Sequence, residues 1–399
     1  MSFIRSLFVP KIKTARQDYR FASQTTKLVG KPLGALYGTA LVRGNVVYSS
    51  TTADLTFSDT IATMCWGPVI FDQGSVLVNR KRPKKINNVA TGASDTINLN
   101  AYLRDGYVAQ QPIALKYFRN SKVPDETREV PIGTPGSTIN PVYGLNRTAY
   151  ARIIGKANAT FGGFDQLEVL ATRPPLFQST GLSAHYNTPI PPQIAARWPG
   201  GLPSHNPIAA ALDYLLNLDY GAGRPIGAFG DFSTWIQAIN WSGIFVTLPD
   251  GRQEIRHQIG TLVGEQEGSQ HADIVETLLE MGDAKPFESG GIIKVWQPRP
   301  SDYHTVVAAL DRSNFNPTSA EFADLQDIPN FVEVRYDNDD NGNRQPVSWD
   351  DPNSLASHSE IRKTFDYPAI SSATMASRKA RLIGRRAIAE SLKIEGDAH

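Results

Sequence analysis

Apolar residues recur at helical spacing in the middle of the chain, beginning at residue 206. The segment NPIAAALDYLLNLDYG carries Asn206 where a side chain can cap a first turn, and Pro207 suits the first helical position. Gly221 follows the apolar run and is the residue type that most often ends a helix. The pattern therefore predicts an amphipathic helix that starts after Asn206 and ends by Gly221.

The segments 231–243 and 271–282 repeat this helical pattern. Asp231 is the expected cap of the first, whose apolar residues fall at i, i+3, i+4 and i+7 and include Trp235. Gly282 is the expected end of the second. Both segments predict amphipathic helices, and the face that carries Trp235 is expected to be buried.

Two turns join short apolar runs in the same region. Asp250-Gly251 and Gly290-Gly291 are dipeptides typical of tight hairpin turns. Together with the three helices, these hairpins predict a small α+β domain over residues 206–300.

Short runs of alternating or continuous apolar residues dominate the first half of the chain and predict β-strands. The candidate strands are residues 45–50, 60–66, 75–81, 112–118 and 165–173. Residues 67–74 between two of these runs predict a tight connection. Residues 119–147 are rich in Pro, Gly, Thr and Asn and predict a long loop.

The pattern divides the chain into segments. An N-terminal arm precedes a β-rich domain, and a Pro-rich linker or surface strap leads to the α+β domain. A second β region follows, in which NFVEVRY predicts a strand, and a basic helix comes last. The predicted segments are 1–35, 36–175, 176–205, 206–300, 301–370 and 371–399. The expected fold class is a β-rich α+β multidomain protein.

The amino-acid composition does not favour any one class of binding partner. Hydrophobic residues make up 41%, charged residues 20%, and the net charge is +1, so no bulk charge draws the chain to nucleic acid or membrane. The single cysteine, Cys65, excludes an intrachain disulfide framework and lies in an apolar run where a buried, inert thiol is expected.

The N-terminal residues predict neither a secretory leader nor a membrane span. The apolar core at residues 7–10 is too short for a signal peptide, and no stretch approaches the roughly 20 apolar residues of a spanning helix. We expect the chain to fold in a cytoplasm.

Candidate chemistry is sparse. The seven histidines are not paired at metal-ligand spacing, and the glycines of residues 221–227 follow a helix with one residue too many for a dinucleotide-binding loop. No pair of carboxylates is singled out for acid–base work. We therefore expect no catalytic residue, no cofactor and no metal.

One acidic turn approaches a calcium loop. Asp337, Asp339, Asn341 and Gly342 stand at positions 1, 3, 5 and 6 of such a loop, but position 12 is Ser348 instead of a bidentate Glu. A strand precedes the turn where a calcium loop has a helix. The favoured prediction is a polar hairpin tip, with a calcium site as the alternative.

Two clusters of basic residues remain. The first lies at the end of a predicted strand and consists of Arg80, Lys81, Arg82, Lys84 and Lys85. The second is a stripe on the last helix, formed by Arg378, Arg381 and Arg385. Nucleic-acid contact is one interpretation. A solvated loop or a contact with an acidic protein partner is favoured, because no aromatic residues interleave with the charges.

A distinctive motif precedes the first strands. The segment KPLGALYGTALVRGNVVY presents, in order, Pro32, Tyr37, Gly38, Arg43, Gly44, Asn45 and Tyr48. Glycine at position 38 can adopt positive φ at a strand turn, and Asn45 can satisfy backbone groups of a loop. This order resembles the N-terminal motif of the siphophage tail-tip attachment protein J and central tail hub family, which includes the hub proteins of gene transfer agents.

Further motifs of that family follow in register between residues 31 and 394. They are Gly67-Pro68, Tyr220-Gly221, Gly290-Gly291, Pro329-Asn330 and the basic helix of residues 376–387. The chain departs from the family at Trp66, where an acidic residue is common, and at Arg80, where a glycine is usual. Receptor-binding regions commonly follow in the family where this sequence ends at His399, so we expect the host-recognition part to be absent or carried by another protein.

The resemblance implies β-barrel-like hub domains and a structural role. The expected function is a homotrimeric hub that caps the distal end of a phage tail tube and opens for DNA ejection. Implied partners are the distal tail protein or last tube ring, other tail-tip proteins, the tape-measure protein, a fibre or receptor-binding protein, and DNA in passage. The implied location is the virion tail tip, after assembly in the host cytoplasm.

Two alternatives remain at this point. A tail-associated cell-wall hydrolase would need a pair of carboxylates in an open groove. A receptor- or carbohydrate-binding module would need an exposed aromatic platform, for which residues 235–303 hold the candidates. We expect those aromatic residues to lie in the core instead.

Overall fold

A computed structural model describes most of the chain from residue 33 onward. The described residues are 33–51, 57–67, 69–71, 75, 77–78, 87–91, 94–99, 113–118, 148–156, 167–178, 188–264, 270–299, 315–322, 328–337, 344–389 and 392–398. The basic cluster at 80–85, the loop at 119–147, the acidic turn at 338–343 and the arm up to residue 32 lie outside them.

The β-strands are numbered in chain order. Those before residue 200 are β1 (Ala35–Tyr37), β2 (Thr39–Arg43), β3 (Asn45–Thr51), β4 (Phe57–Trp66), β5 (Ile70–Phe71), β6 (Leu77–Val78), β7 (Asn87–Thr91), β8 (Ser94–Leu99), β9 (Ile113–Phe118), β10 (Thr148–Lys156) and β11 (Leu167–Thr172). Those after it are β12 (Phe245–Thr247), β13 (Gln253–Ile255), β14 (Thr261–Val263), β15 (Lys285–Ser289), β16 (Ile292–Trp296), β17 (Phe315–Phe322), β18 (Phe331–Asp337), β19 (Arg344–Asp350), β20 (Arg362–Tyr367) and β21 (Leu392–Ala398).

Six α-helices lie after residue 190 in the described part of the chain. They are α1 (Pro192–Arg197), α2 (Pro207–Leu216), α3 (Ser233–Gly243), α4 (His271–Met281), α5 (Pro352–Ser357) and α6 (Ala373–Ala389). A short 3-10 helix, Ile226–Phe229, precedes α3. The mixture of strands and helices confirms the predicted α+β class.

The strands form several separate sheets. The largest has eight strands in the order β14-β1-β4-β10-β9-β8-β7, with β3 added beside β4. A four-stranded sheet joins β2, β11, β5 and β6, a three-stranded sheet has the order β19-β18-β20, and the remaining strands form pairs. Among the described residues no sheet closes on itself, so the expectation of barrel-like domains is wrong for this part of the chain.

The opening motif carries the chain from one sheet to another and back. Strand β1 belongs to the eight-stranded sheet, β2 to the four-stranded sheet, and β3 returns to the first. Gly38 stands at the first crossing with φ of +66°, and a Cβ there would lie 1.9 Å from the carbonyl oxygen of Ile259. Gly44 stands at the second crossing, where a Cβ would lie 2.8 Å from that of Ala62. Both crossings therefore need glycine.

The central strand of the large sheet was not predicted. Strand β10 pairs with β4 on one side and β9 on the other. A half-buried strand is recognised by alternating apolar and polar residues. The sequence of β10, TAYARIIGK, mixes small, charged and apolar residues and lacks that alternation. Strand β5 likewise lies inside the segment predicted as a tight connection.

The three predicted helices of the middle region are present, with one boundary moved. The Asn206 side chain accepts hydrogen bonds from the amides of Ile208 and Ala209, as a cap should. Helix α2 ends at Leu216, however, and Gly221 is not its stop. The Asn217 side chain accepts the next free amides in a turn, which ends the helix earlier.

Helix α4 ends where predicted, whereas the N-cap of α3 is Phe232, one residue after the predicted cap Asp231. The Asp231 carboxylate accepts the Ser233 amide at the start of α3, and Gly282 follows the last residue of α4. Both predicted hairpins form, with positive φ at Gly251, Gly290 and Gly291. These turns were predictable because few residues other than glycine adopt that conformation.

One hydrophobic core joins segments that the sequence divides into domains. It contains Tyr37 of β1, Trp235 of α3, Val334 of β18 and Ala376 of α6. The described part of the predicted linker also contributes to it through the buried side chains of Leu176, Phe177, Ile194 and Leu202. These side chains anchor the described part of the segment on the core, while most of residues 191–200 are exposed. The domain boundaries themselves stay predictions.

The C-terminal segment is a helix followed by a strand. Helix α6 packs against β18 and β19, and at Gly384 a Cβ would lie 1.9 Å from the Trp349 ring, so the helix approaches the sheet closely. Strand β21 then pairs with β17, which corrects the expectation of helix throughout residues 371–399. Arg378 is also not simply solvated, since it pairs with Glu254 at 2.8 Å.

The aromatic residues of the middle region divide between core and surface. Trp235 is fully buried, as expected, whereas Trp296 is 49% exposed and Phe287 is 38% exposed. The prediction that the Trp and Tyr residues of this region lie in the core is therefore wrong for Trp296. Alternation along a strand places Trp296 on the face opposite the buried Val295.

Candidate functional site

A buried ion pair connects the two most distinctive motifs of the sequence. An Arg173 guanidinium nitrogen lies 2.7 Å from a carboxylate oxygen of Asp213, and both side chains are at most 2% exposed. The Tyr37 hydroxyl donates to the same oxygen at 2.7 Å, and the Tyr220 hydroxyl does so at 2.9 Å. Residues from β1, the end of β11, helix α2 and the loop after it thus meet at one carboxylate.

The second carboxylate oxygen of Asp213 is also satisfied. Thr188 donates to it at 2.9 Å, and Asn217 donates in turn to the Thr188 hydroxyl at 2.8 Å. Arg173 also donates to the carbonyl of Leu36 at 3.1 Å. A buried charge costs several kcal/mol unless its partners compensate, so this dense set of bonds keeps the pair stable inside the core.

Aromatic rings enclose the guanidinium. Its central carbon lies 4.4 Å from the centre of the Tyr37 ring and 5.5 Å from that of Tyr220. Burial, followed by the nearby Asp213 charge, raises the pKa of the Tyr37 phenol well above its usual value. The phenol is therefore a permanent hydrogen-bond donor, and the cluster holds strands and helix together without access for a substrate.

The remaining motif residues are placed around turns. Gly221 approaches helix α2 so closely that a Cβ would lie 1.9 Å from the carbonyl oxygen of Tyr214. Gly67 is buried with φ of +74° after β4, and Asn45 is the first residue of β3. Pro68 lies outside the described residues, as do Arg80, Lys81, Arg82, Lys84 and Lys85, so the predicted partner-contact loop stays a prediction.

Arg173, Asp213 and Thr188 were not predicted from the sequence. A signal for Asp213 was present, because it is the one charged residue in the apolar helix segment PIAAALDYLL, whose ten residues are all buried. Such a residue inside a buried helix requires a partner. Nothing in the sequence, however, points to Arg173, which lies 40 positions earlier.

A second polar cluster has the composition of a catalytic triad. His257 Nδ1 lies 3.2 Å from the Ser242 hydroxyl oxygen, and His257 Nε2 lies 3.2 Å from a carboxylate oxygen of Asp283. Ser242 is fully buried, and its oxygen also accepts a hydrogen bond from Gln297 at 2.9 Å. A nucleophile must reach its substrate. In this conformation the three residues join helix α3, the bend after β13 and the turn after α4 as a structural cluster.

Acidification should weaken this second cluster. Burial lowers the pKa of His257, and the hydrogen bond and charge of Asp283 only partly oppose that effect. Lys379 and Arg256 add positive charge nearby. The folded chain therefore favours neutral imidazole, while the unfolded chain takes up a proton near pH 6.5. Stability from this group is present above about pH 6.5 and is lost as pH falls through the lower folded-state pKa.

We expect the melting temperature to fall between pH 7.5 and pH 5, with a smaller fall in the variant His257→Gln. Each proton taken up contributes at most about 1.4 kcal/mol per pH unit. His205, whose pKa burial also lowers, leaves a residual slope in the variant. Thermal unfolding across this pH range tests the expectation, and equal slopes in the two proteins would contradict it.

Among the described residues, no group of three or more His, Cys, Asp or Glu side chains could hold a metal ion. The centre of the acidic turn falls outside these residues, so the calcium alternative stays untested. No helix within the described ranges is long and apolar enough to cross a membrane. Cys65 is buried, as expected, and carries a free thiol.

Comparison with known proteins identifies few similarities. No protein family matches the chain, and no curated protein is significantly similar. A solved chain in the "Virion of native gene transfer agent (GTA) particle" is similar in structure, with a TM-score of 0.45 and 13% sequence identity. The similarity covers 95% of this chain and 76% of that one.

Proposed function

We propose that the chain is a structural virion protein, the central hub of a siphovirus-like tail tip. The observation that carries the proposal is the meeting of two separate hub motifs, Tyr37-Gly38 and Tyr220-Gly221, at the Arg173–Asp213 ion pair. These motif residues are used to fix strands and a helix, which is what a rigid component needs. A reaction centre would instead require access for a substrate.

In the proposed role, three copies cap the distal end of the tail tube beneath the distal tail protein or last tube ring. The tape-measure protein lies inside, other tip proteins and a fibre or receptor-binding protein attach outside, and opening of the hub lets DNA pass. Assembly takes place in the host cytoplasm and the finished protein resides in the virion tail tip. We assign the loop Arg80–Lys85 to a contact with a neighbouring acidic protein.

The direct experiment is to purify particles made by the virus or element that encodes this chain. Mass spectrometry should find the chain in intact particles, and averaged electron micrographs labelled with an antibody to it should show density at the distal tail tip. A tagged head protein from the same particles serves as the control for labelling. Absence of the chain from purified particles, or label only on heads, would overturn the proposal.

A second candidate function is a receptor- or carbohydrate-binding module. The observation in its favour is the exposure of Trp296 and Phe287 on one hairpin. Aromatic rings at a surface can stack on sugars, but they also dominate protein interfaces. Among the residues that the structure describes, nothing comparable favours the hydrolase, since Ser242 of the triad-like cluster is buried.

A further inference from the structure

One face of the hairpin β15–β16 is aromatic and basic, with Lys285, Phe287 and Trp296 exposed and Lys294 half-buried. Lys285 lies directly opposite Trp296, and Phe287 lies directly opposite Lys294. Residues opposite each other, and residues two apart on a strand, share a face. The six residues of this face include two lysines, two large aromatics and no acidic residue. We call it the hairpin face.

The other side of the same hairpin is occupied by the core. Val295 is 3% exposed, Ile293 packs against the core, and the Trp235 indole donates to the carbonyl of Ile293 at 3.1 Å. The backbone of the hairpin is therefore held in place, and the hairpin face is rigid. A rigid aromatic surface loses little entropy on binding, which suits an interface.

Helix α4 presents the opposite charge. Its buried side carries Ile274, Val275, Leu278 and Leu279, while its solvent side exposes Asp273 and Glu276, three positions apart. The helix contains no lysine or arginine. We call this solvent side the acidic helix face.

The charges on these two faces are not engaged within the described part of the chain. None of Lys285, Lys294, Asp273 and Glu276 forms a salt bridge there. The Lys294 charge does reach Asp231, whose pKa is lowered first by its hydrogen bonds to Ser233 and last by Lys294. Both faces are thus available to a partner.

We infer that the hairpin face of one copy of this chain docks on the acidic helix face of a second copy. The two faces are complementary in charge, and the aromatics supply the apolar anchor that interfaces require. A symmetric contact of like faces would oppose lysine to lysine, or carboxylate to carboxylate, and is disfavoured. The contact is therefore head-to-tail, and such contacts generate rings when they close. We identify this contact as the interface of the trimer, and that identification rests on the proposed function.

Charge exchange in the full-length chain tests the contact. By sedimentation velocity and native mass spectrometry at micromolar concentration, the unaltered chain should be trimeric. The double variants Lys285→Glu with Lys294→Glu, and Asp273→Lys with Glu276→Lys, should each dissociate to monomer. The quadruple variant restores complementary charge and should recover the trimer. The unaltered trimer should dissociate more readily as salt rises, and the neutral variant Lys285→Gln with Lys294→Gln should respond less to salt, because it lacks the charges that salt screens.

Circular dichroism and melting temperature verify that each variant folds, and Trp296→Ala provides a further test without changing charge. A monomeric unaltered chain, trimeric double variants, or a folded quadruple variant that stays monomeric would overturn the inference. So would binding of a cell-wall polysaccharide that Trp296→Ala abolishes while the trimer persists. If purified particles carry the chain at the tail tip and the double variants assemble normally, only this inference fails. If the charge exchange works and particles lack the chain, only the proposed function fails.

Discussion

The variant Asp213→Ala should lose about 3–5 kcal/mol of unfolding free energy, the range for breaking a buried ion pair by removing one partner. The substitution leaves the Arg173 guanidinium without its 2.7 Å carboxylate partner in a site that water does not reach. It also leaves the hydroxyls of Tyr37 and Tyr220 without their shared acceptor. Denaturation by urea, followed by tryptophan fluorescence, measures the loss.

Two controls separate the charge from the packing. Asp250→Ala removes the carboxylate of an exposed pair with Arg252 and should change stability little, because exposed pairs contribute little. The double variant Arg173→Met with Asp213→Leu should be more stable than the sum of its single variants predicts, since no charge is then left unpaired. A loss below about 1 kcal/mol in Asp213→Ala would contradict the assignment of a rigid, charge-dependent junction.

The variant Trp235→Ala should be destabilised by about 3–5 kcal/mol, the usual cost of removing a large buried aromatic. Trp235 is fully buried, contacts the Phe229 ring edge-on at 5.8 Å between centroids, and donates its indole proton to Ile293. Its loss leaves a cavity between α3 and β16 and an unsatisfied carbonyl. Urea denaturation of the purified chain measures the change.

The chain offers a matched control in Trp296, which is half exposed on β16, the strand that Trp235 contacts. Trp296→Ala should lower stability far less than Trp235→Ala, although it should weaken self-association. Similar losses in both variants would mean that Trp296 is as important for the fold as Trp235. It would then no longer be a surface anchor.

Local elements with strong chemical signals were predictable. Helix α2 begins where Asn206 and Pro207 indicate, and the hairpin at Gly290-Gly291 forms because both residues adopt positive φ. In β18 the buried residues alternate as the sequence predicts. Each of these features depends on residues close together in the chain, so a short window of sequence contains the whole cause.

Elements stabilised by distant partners were less predictable. Strand β10 has a weak pattern of its own and is fixed by pairing with β4 and β9. Strand β21 depends on β17, which lies about 70 positions earlier in the chain. Helix α2 ends early because of the Asn217 side chain, which competes with Gly221 as the stop. Where two signals compete or a pairing partner is remote, the local sequence alone does not decide which element forms or where it ends.

By itself, the sequence determined the helices, hairpins and turns of residues 206–296 and the need for glycine at position 38. These depend on backbone sterics and on periodicity, which are local properties. Only the tertiary structure decided that the chain changes sheets at Gly38 and Gly44, and that Arg173 and Asp213 meet with Tyr37 and Tyr220. The reason is that sheet order and buried ion pairs bring together residues far apart in sequence, and no local rule specifies which of them become neighbours.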